Sequence, residues 1–82
     1  MVRVIYDEIF KRAVSKTKDS SVQKNIKNKI SKIIDNPEVG KPMGYGRKGT
    51  REVYVDSFRL SYRYTREKNL VEFLDFYHKD RQ

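Results

Sequence analysis

The chain contains no cysteine. Disulfide staples and thiolate metal sites are therefore excluded, and the fold depends on packing alone, which suits a reducing cytoplasm. Histidine occurs once, as His78. A histidine-built metal centre has no second ligand at a recognisable spacing, and a serine-type triad lacks its nucleophile and orienting acid. Glu52 or Glu67 with Asp75 are the carboxylate pairs available for glycoside chemistry, but nothing in the pattern makes them converge. No metal and no cofactor are expected. Long apolar runs are also missing. None approaches the roughly 18 residues of a membrane span. The opening stretch MVRVIYDEIF is too short an apolar run for a signal peptide, with Asp7 and Glu8 following at once. No membrane partner is expected. Glycine and proline are scarce: all four glycines and both prolines fall between residues 36 and 49.

What the chain has is positive charge. Its 82 residues form one domain, 1–82, with a thin core. The net charge is +8, from 19 Lys and Arg against 11 Asp and Glu. A field of this sign favours a polyanion or an acidic partner. The charge is clustered. Residues 20–34 hold Lys24, Lys27, Lys29 and Lys32 without an acid, and residues 40–51 hold Lys41, Arg47, Lys48 and Arg51, again without one. Lys24, Lys27, Lys29 and Lys32 read as the wet side of a helix or as a secondary contact to polyanion.

Hydrophobic periodicity orders the chain. VRVIY (2–6) alternates and is β-branched, so it predicts a short strand. Asp7 is positioned to cap a helix whose stripe is Ile9, Phe10, Ala13, Val14 and Thr17. Asp19 or Ser20 caps a second helix, with Val22, Ile26, Ile30, Ile33 and Ile34 at helical spacing, and Asn36-Pro37 ends it. Residues 36–49 are an irregular loop, basic at its end, without the strand–loop–helix setting of a phosphate-binding loop. The period then becomes two. TREVYVD is a strand with Val53 and Val55 inward and Glu52 and Tyr54 outward, Asp56-Ser57 is a turn, and FRLSYRY is a strand. TREKN is a turn, and LVEFLDFYH is a strand apolar on both faces, which suggests a central position. The expected class is α+β: strand, helix, helix and three strands in an antiparallel meander. The helical hairpin lies on one face and the other face is open.

On that open face Arg59 and Arg63 point away from Phe58, Leu60, Tyr62 and Tyr64. Arginine suits a phosphate that gains negative charge in a transition state, because its planar fork meets two oxygens and stays charged. It is a poor general base for the same reason, so His78 or a lysine depressed by neighbouring cations would have to move the proton. His78, Lys79 and Arg81 are expected at the rim, with Arg51 nearby, around one concave basic surface. Plainer roles stand beside these: Arg59 paired with Asp56 or Glu52, His78 as a half-buried strand end, Arg63 as a solvated residue.

GTREVYVDSFRLSYRY followed by LVEFLDFYHK resembles the signature of the RelE/ParE toxin superfamily. Asp56, Phe58, Arg59, Leu60 and Tyr62 carry the strand motif, and the run Val71 to Phe76, His78 and Lys79 carries the last strand. The resemblance implies a RelE-like toxin of a type II toxin–antitoxin pair, a metal-independent endoribonuclease that cuts mRNA in the ribosomal A site. It implies an acidic, helical RelB-like antitoxin as partner, a toxin–antitoxin complex that binds operator DNA, and a cytoplasmic location. Carried over by position, Arg59 contacts the scissile phosphate and Lys79 has a similar task, with His78 and Arg51 as further catalytic candidates. Arg47, Lys48, Arg63 and Arg81 are candidates for RNA or ribosome binding. Glu52 and Tyr54 stand where the family tends to place basic residues, which is a departure. A ParE-like toxin acting on DNA gyrase and a non-catalytic RNA-binding module are the alternatives.

Overall fold

The computed structural model describes residues 2–44 and 49–81. The chain runs β1 (Arg3–Tyr6), α1 (Glu8–Ser15), α2 (Ser20–Asp35), β2 (Lys41–Pro42), β3 (Thr50–Val55), β4 (Phe58–Thr65) and β5 (Leu70–His78), with a short 3-10 turn after each of the last two strands. The strands form a single sheet in the order β1-β5-β4-β3-β2. The expected α+β class and the antiparallel β3–β4–β5 meander are present. The sheet as a whole is mixed, because β1 pairs with β5 in parallel. The helical hairpin between β1 and the rest carries the chain back across one face of the sheet. β2 is a further short strand inside the loop that was expected to be irregular, where Lys41 and Pro42 pair with Glu52 and Arg51. None of the described helices is long and apolar enough to cross a membrane.

Asp7 caps α1 by accepting the Ile9 amide at 2.8 Å. Asp19, rather than Ser20, caps α2 by accepting from Ser21 and Val22. Each cap satisfies amides that have no partner inside the helix. Phe10 from α1 and Val22, Ile26 and Ile33 from α2 pack on Val55, Leu60, Tyr62, Val71, Phe73 and Phe76 of the sheet. Neither helix covers the opposite face.

A β-bulge decides which residues lie on each face. Ser61 faces Asp75 while Tyr62 faces Phe73, so Leu74 is an extra residue in β5. Phe73 and Phe76, three apart, therefore both reach the core, at 0% and 4% exposure. The apolar run of the last strand had suggested burial on two faces. The bulge accounts for its second half instead: it moves Asp75 off the core face and puts Phe76 on it. The Asp75 carboxylate accepts the Phe76 amide at 2.7 Å beside the disrupted ladder. β5 is an inner strand, but β1 flanks only its first half, from Leu70 to Phe73.

Tyr62 ties the sheet to the loop that follows α2. Its hydroxyl donates to the Pro37 carbonyl at 2.8 Å and accepts the Gly40 amide at 2.9 Å. The approach is so close that a Cβ on residue 40 would lie 2.6 Å from that hydroxyl oxygen. Burial of Tyr62 raises its pKa above 10.0, the Gly40 amide and the Arg51 charge partly opposing the effect. The folded state therefore keeps this proton at pH values where the unfolded chain has lost it. The resulting stabilisation is complete below pH 10 and falls as the pH rises through the folded value. Replacing Tyr62 by Phe leaves Gly40 and Pro37 without a partner and is expected to cost about 1–3 kcal/mol in chemical denaturation. The variant is also expected to lose less stability than wild type as the pH rises above 10. An unchanged alkaline profile would count against the buried hydroxyl as its source.

Candidate functional site

The register lays the open face out in rows. Tyr54, Arg59 and Tyr77 form one row across β3, β4 and β5, and Glu52, Ser61 and Asp75 form the next. Thr50, Arg63 and Glu72 form a third. Arg59 is the cation at the centre. Its guanidinium lies 3.8 Å from the centroid of the Tyr54 ring and donates to the Phe58 carbonyl at 3.2 Å. Among the described residues no carboxylate pairs with it. The alternatives that paired it with Asp56 or Glu52 do not hold. Asp56 instead accepts from Asn25 of α2, and Glu52 accepts from the Tyr77 hydroxyl at 3.2 Å. Stacking on Tyr54 holds the guanidinium in place without neutralising it, so its charge stays available to an anion.

The Tyr77–Glu52 bond joins β5 to β3 and so passes over β4, where Ser61 is 7% exposed. Lys41, Glu52, Ser61, Asp75 and Tyr77 are among the residues that line a broad depression, whose lining also includes Arg12, Lys16 and Lys18, and Arg59 stands outside that lining. The bulge explains the gathering. It aligns Tyr77 with Arg59 and Asp75 with Ser61, where an unbroken alternation would have turned both toward the helices. The sequence patterns did not foresee that Glu52 and Asp75 converge on the same row, nor that Tyr77 joins them. Only the outward position of Glu52 and Tyr54 was a signal.

The expected basic surface is not assembled as predicted. Arg51 is on the helix side of the sheet, opposite Tyr62. It donates to the carbonyls of Glu38 at 3.0 Å and Gly40 at 2.8 Å, with the Glu38 carboxylate 3.9 Å away. Glu38 also pairs at 2.7 Å with Arg66, whose pKa this hydrogen bond raises. Arg51 is thus part of the latch around Tyr62 and does not join Arg59, because β3 alternation turns it to the same side as Val53 and Val55. His78 is also on the helix side, opposite Phe58, whose ring it meets edge-on at 5.4 Å. Its Nδ1 accepts the Asp80 amide at 3.2 Å, with the Asp80 carboxylate at 3.4 Å. The bulge has turned His78 to the face of the sheet opposite Arg59. Arg63 does lie on the open face, 3.9 Å from Glu72. Lys79 and Arg81 follow β5 in a 3-10 turn, with the Lys79 amide bonded to the Ser57 carbonyl at the end of the sheet nearest Arg59. Arg47 and Lys48 lie outside the described residues. Among the described residues no group of three or more His, Cys, Asp or Glu side chains is placed to hold a metal ion.

Comparison with solved structures defines the class. The chain superposes on one chain of the intact Escherichia coli RelBE toxin–antitoxin complex with a TM-score of 0.79 at 19% identity, covering 95% of this chain and 96% of that one. It does so on the RelBE2 toxin–antitoxin complex of Mycobacterium tuberculosis with 0.79 at 23% identity, covering 94% and 96%. For the E. coli DinJ–YafQ complex the values are 0.79 and 20%, covering 99% and 97%. The fold is that of the RelE-like toxins. A family model described as the ParE toxin of type II toxin–antitoxin systems, parDE, matches residues 3–82. The chain belongs to this family and is a type II toxin of the RelE/ParE superfamily. No curated protein matches it in sequence.

Since Arg59 is partly exposed and has no acid partner among the described residues, Arg59→Ala is expected to leave stability within roughly 1 kcal/mol of wild type, the scale of an exposed cation–π contact. Urea denaturation measures this. A loss of several kcal/mol would mean that Arg59 is a structural residue.

Proposed function

We propose that this toxin is a metal-independent endoribonuclease that cleaves mRNA in the ribosomal A site and so arrests translation. One observation carries the reading: an arginine with no acid partner among the described residues, stacked on an exposed tyrosine, lies one register row from a carboxylate that accepts a tyrosine hydroxyl. Cleavage of RNA by its own 2′-hydroxyl needs a base for that proton, a cation for the charge growing on the phosphate oxygens, and an acid for the 5′-oxygen that leaves. Glu52 is the base in this reading. Its carboxylate takes the 2′-hydroxyl proton as the new O–P bond forms. Arg59 stabilises the phosphate oxygens, and Tyr77 or Lys79 donates a proton to the 5′-oxygen as the old bond breaks. The Tyr54 ring, 53% exposed, offers a surface for a base beside the scissile phosphate. A ribosome that orients the mRNA supplies much of the rate, so a small set of groups suffices.

A cognate antitoxin is the expected partner in the cell, as the RelB and DinJ chains are in the complexes of similar fold, and the joint complex is expected to bind operator DNA. The cytoplasm, where ribosomes and mRNA meet, is the expected location. The acids on the open face favour a second reading, a ParE-like toxin that binds DNA gyrase as a protein inhibitor.

Expression in a bacterial host and a reconstituted translation reaction separate the readings. Wild type is expected to stop translation and cut ribosome-bound mRNA. Arg59→Ala and Glu52→Gln are each expected to lower the cutting rate by about 10²–10³-fold. A DNA-damage response with intact mRNA would favour the gyrase reading. Full toxicity of Arg59→Ala would remove the assigned site.

A further inference from the structure

The positive charge of the chain does not lie on the sheet. Residues 50–78 carry five basic and five acidic side chains, whereas residues 8–35, the helical hairpin, carry eight basic against three acidic. On α2, Lys24, Lys27 and Lys32 are exposed, and the helix has no acid before Asp35. Arg12, Lys16 and Lys18 extend the exposed positive surface along α1 and the turn. Among the described residues, Lys11 is the one hairpin cation in an ion pair, with Glu8 at 2.9 Å. This arrangement works against the helix. Lys24 with Lys27 is a like-charge pair one turn apart, and only Lys32, in the last turn, complements the macrodipole. A feature that costs helix stability and is not offset within the fold points outward.

The kind of partner follows from what accompanies the lysines. The large exposed apolar side chains are Ile5, Tyr6, Ile9, Val39 and Tyr54, and none is on α2. Protein interfaces are depleted in lysine and are centred on aromatic or aliphatic anchors. Single-strand binders stack bases on aromatic rings. The outer side of α2 has neither anchor nor ring. Compact ammonium groups on a rigid rod suit a phosphate backbone, which is held by charge and position without reading the bases. From Lys24 to Lys32 the helix rises about 12 Å, enough to meet more than one phosphate.

We propose that the outer side of the helical hairpin is a docking surface for the phosphate backbone of duplex RNA, separate from the Arg59 site and on the other side of the sheet. The choice of RNA over DNA rests on the mRNA-cleavage reading; the electrostatic docking does not. The test is binding of the intact toxin to an RNA duplex, to a DNA duplex of the same sequence and to polyglutamate, over a range of salt concentrations. Wild type is compared with a Lys24→Gln/Lys27→Gln/Lys32→Gln variant and with Arg59→Ala. The triple variant is expected to keep its thermal midpoint within a few degrees of wild type, since relief of the Lys24–Lys27 repulsion and loss of Lys32 from the last turn offset each other. Its RNA affinity is expected to fall about tenfold or more, and its salt slope by about 3, one per lysine. Arg59→Ala, which removes a single phosphate contact, is expected to lower the slope by no more than about 1. An unchanged slope in the triple variant would overturn the surface. A larger loss on DNA than on RNA would overturn the choice of RNA, and a loss confined to polyglutamate would assign the surface to an acidic protein. Absence of mRNA cleavage by wild type would overturn the catalytic reading alone, since the slope is measured without turnover.

Discussion

The extra residue at Leu74 is the constraint on which both faces of this protein depend. A strand with strict alternation turns every second side chain to the core. In β5 that would continue from Val71 and Phe73 to Asp75 and Tyr77, burying a carboxylate under the helices. The bulge changes the parity once, and Phe76 fills the core while Asp75 and Tyr77 go to the open side. A side-chain period of two makes any single insertion act on everything after it. The candidate site is a product of this shift, because Tyr77 then lies beside Arg59 and reaches Glu52.

A second constraint acts at the other end of the sheet. Tyr62 is in the signature motif that suggested the family, and its role in the fold is to hold the loop at Pro37 and Gly40 against the core. Arg51 and Glu38 complete that latch. The motif therefore mixes two kinds of residue on one strand. Tyr62 faces the helices and fixes the entry to β2 and β3, while Arg59 faces outward and stacks on Tyr54. The separation is physical: adjacent faces of a strand share a backbone but no environment.

Charge is separated in a similar way. The sheet is balanced, with Glu52, Glu72 and Asp75 interleaved among Arg59 and Arg63, while the helical hairpin is strongly basic. A balanced open face is suited to selective chemistry at one phosphate more than to general attraction of a polyanion. The hairpin supplies the long-range field that brings such a partner close. Attraction and chemistry then need not be carried by the same residues.

The sequence by itself determined the α+β class, the helices with their caps, the meander and the outward position of Arg59. These follow from local rules: Asp7 and Asp19 before helical stripes, and alternation in residues 50–64. The family signature was legible for the same reason, since it is written in contiguous residues. Tertiary structure alone decided which cations share a surface. Arg51 faces the helices by the alternation it shares with Val53 and Val55, which the sequence already carried, but His78 faces them because of the bulge, which no pattern announced. It also decided that β1 runs parallel to β5 and that Glu52, Tyr77 and Asp75 meet, because pairing between strands far apart in the chain is set by packing of the whole core. Periodicity within a strand states which residues share a side. It does not state where an extra residue interrupts the count.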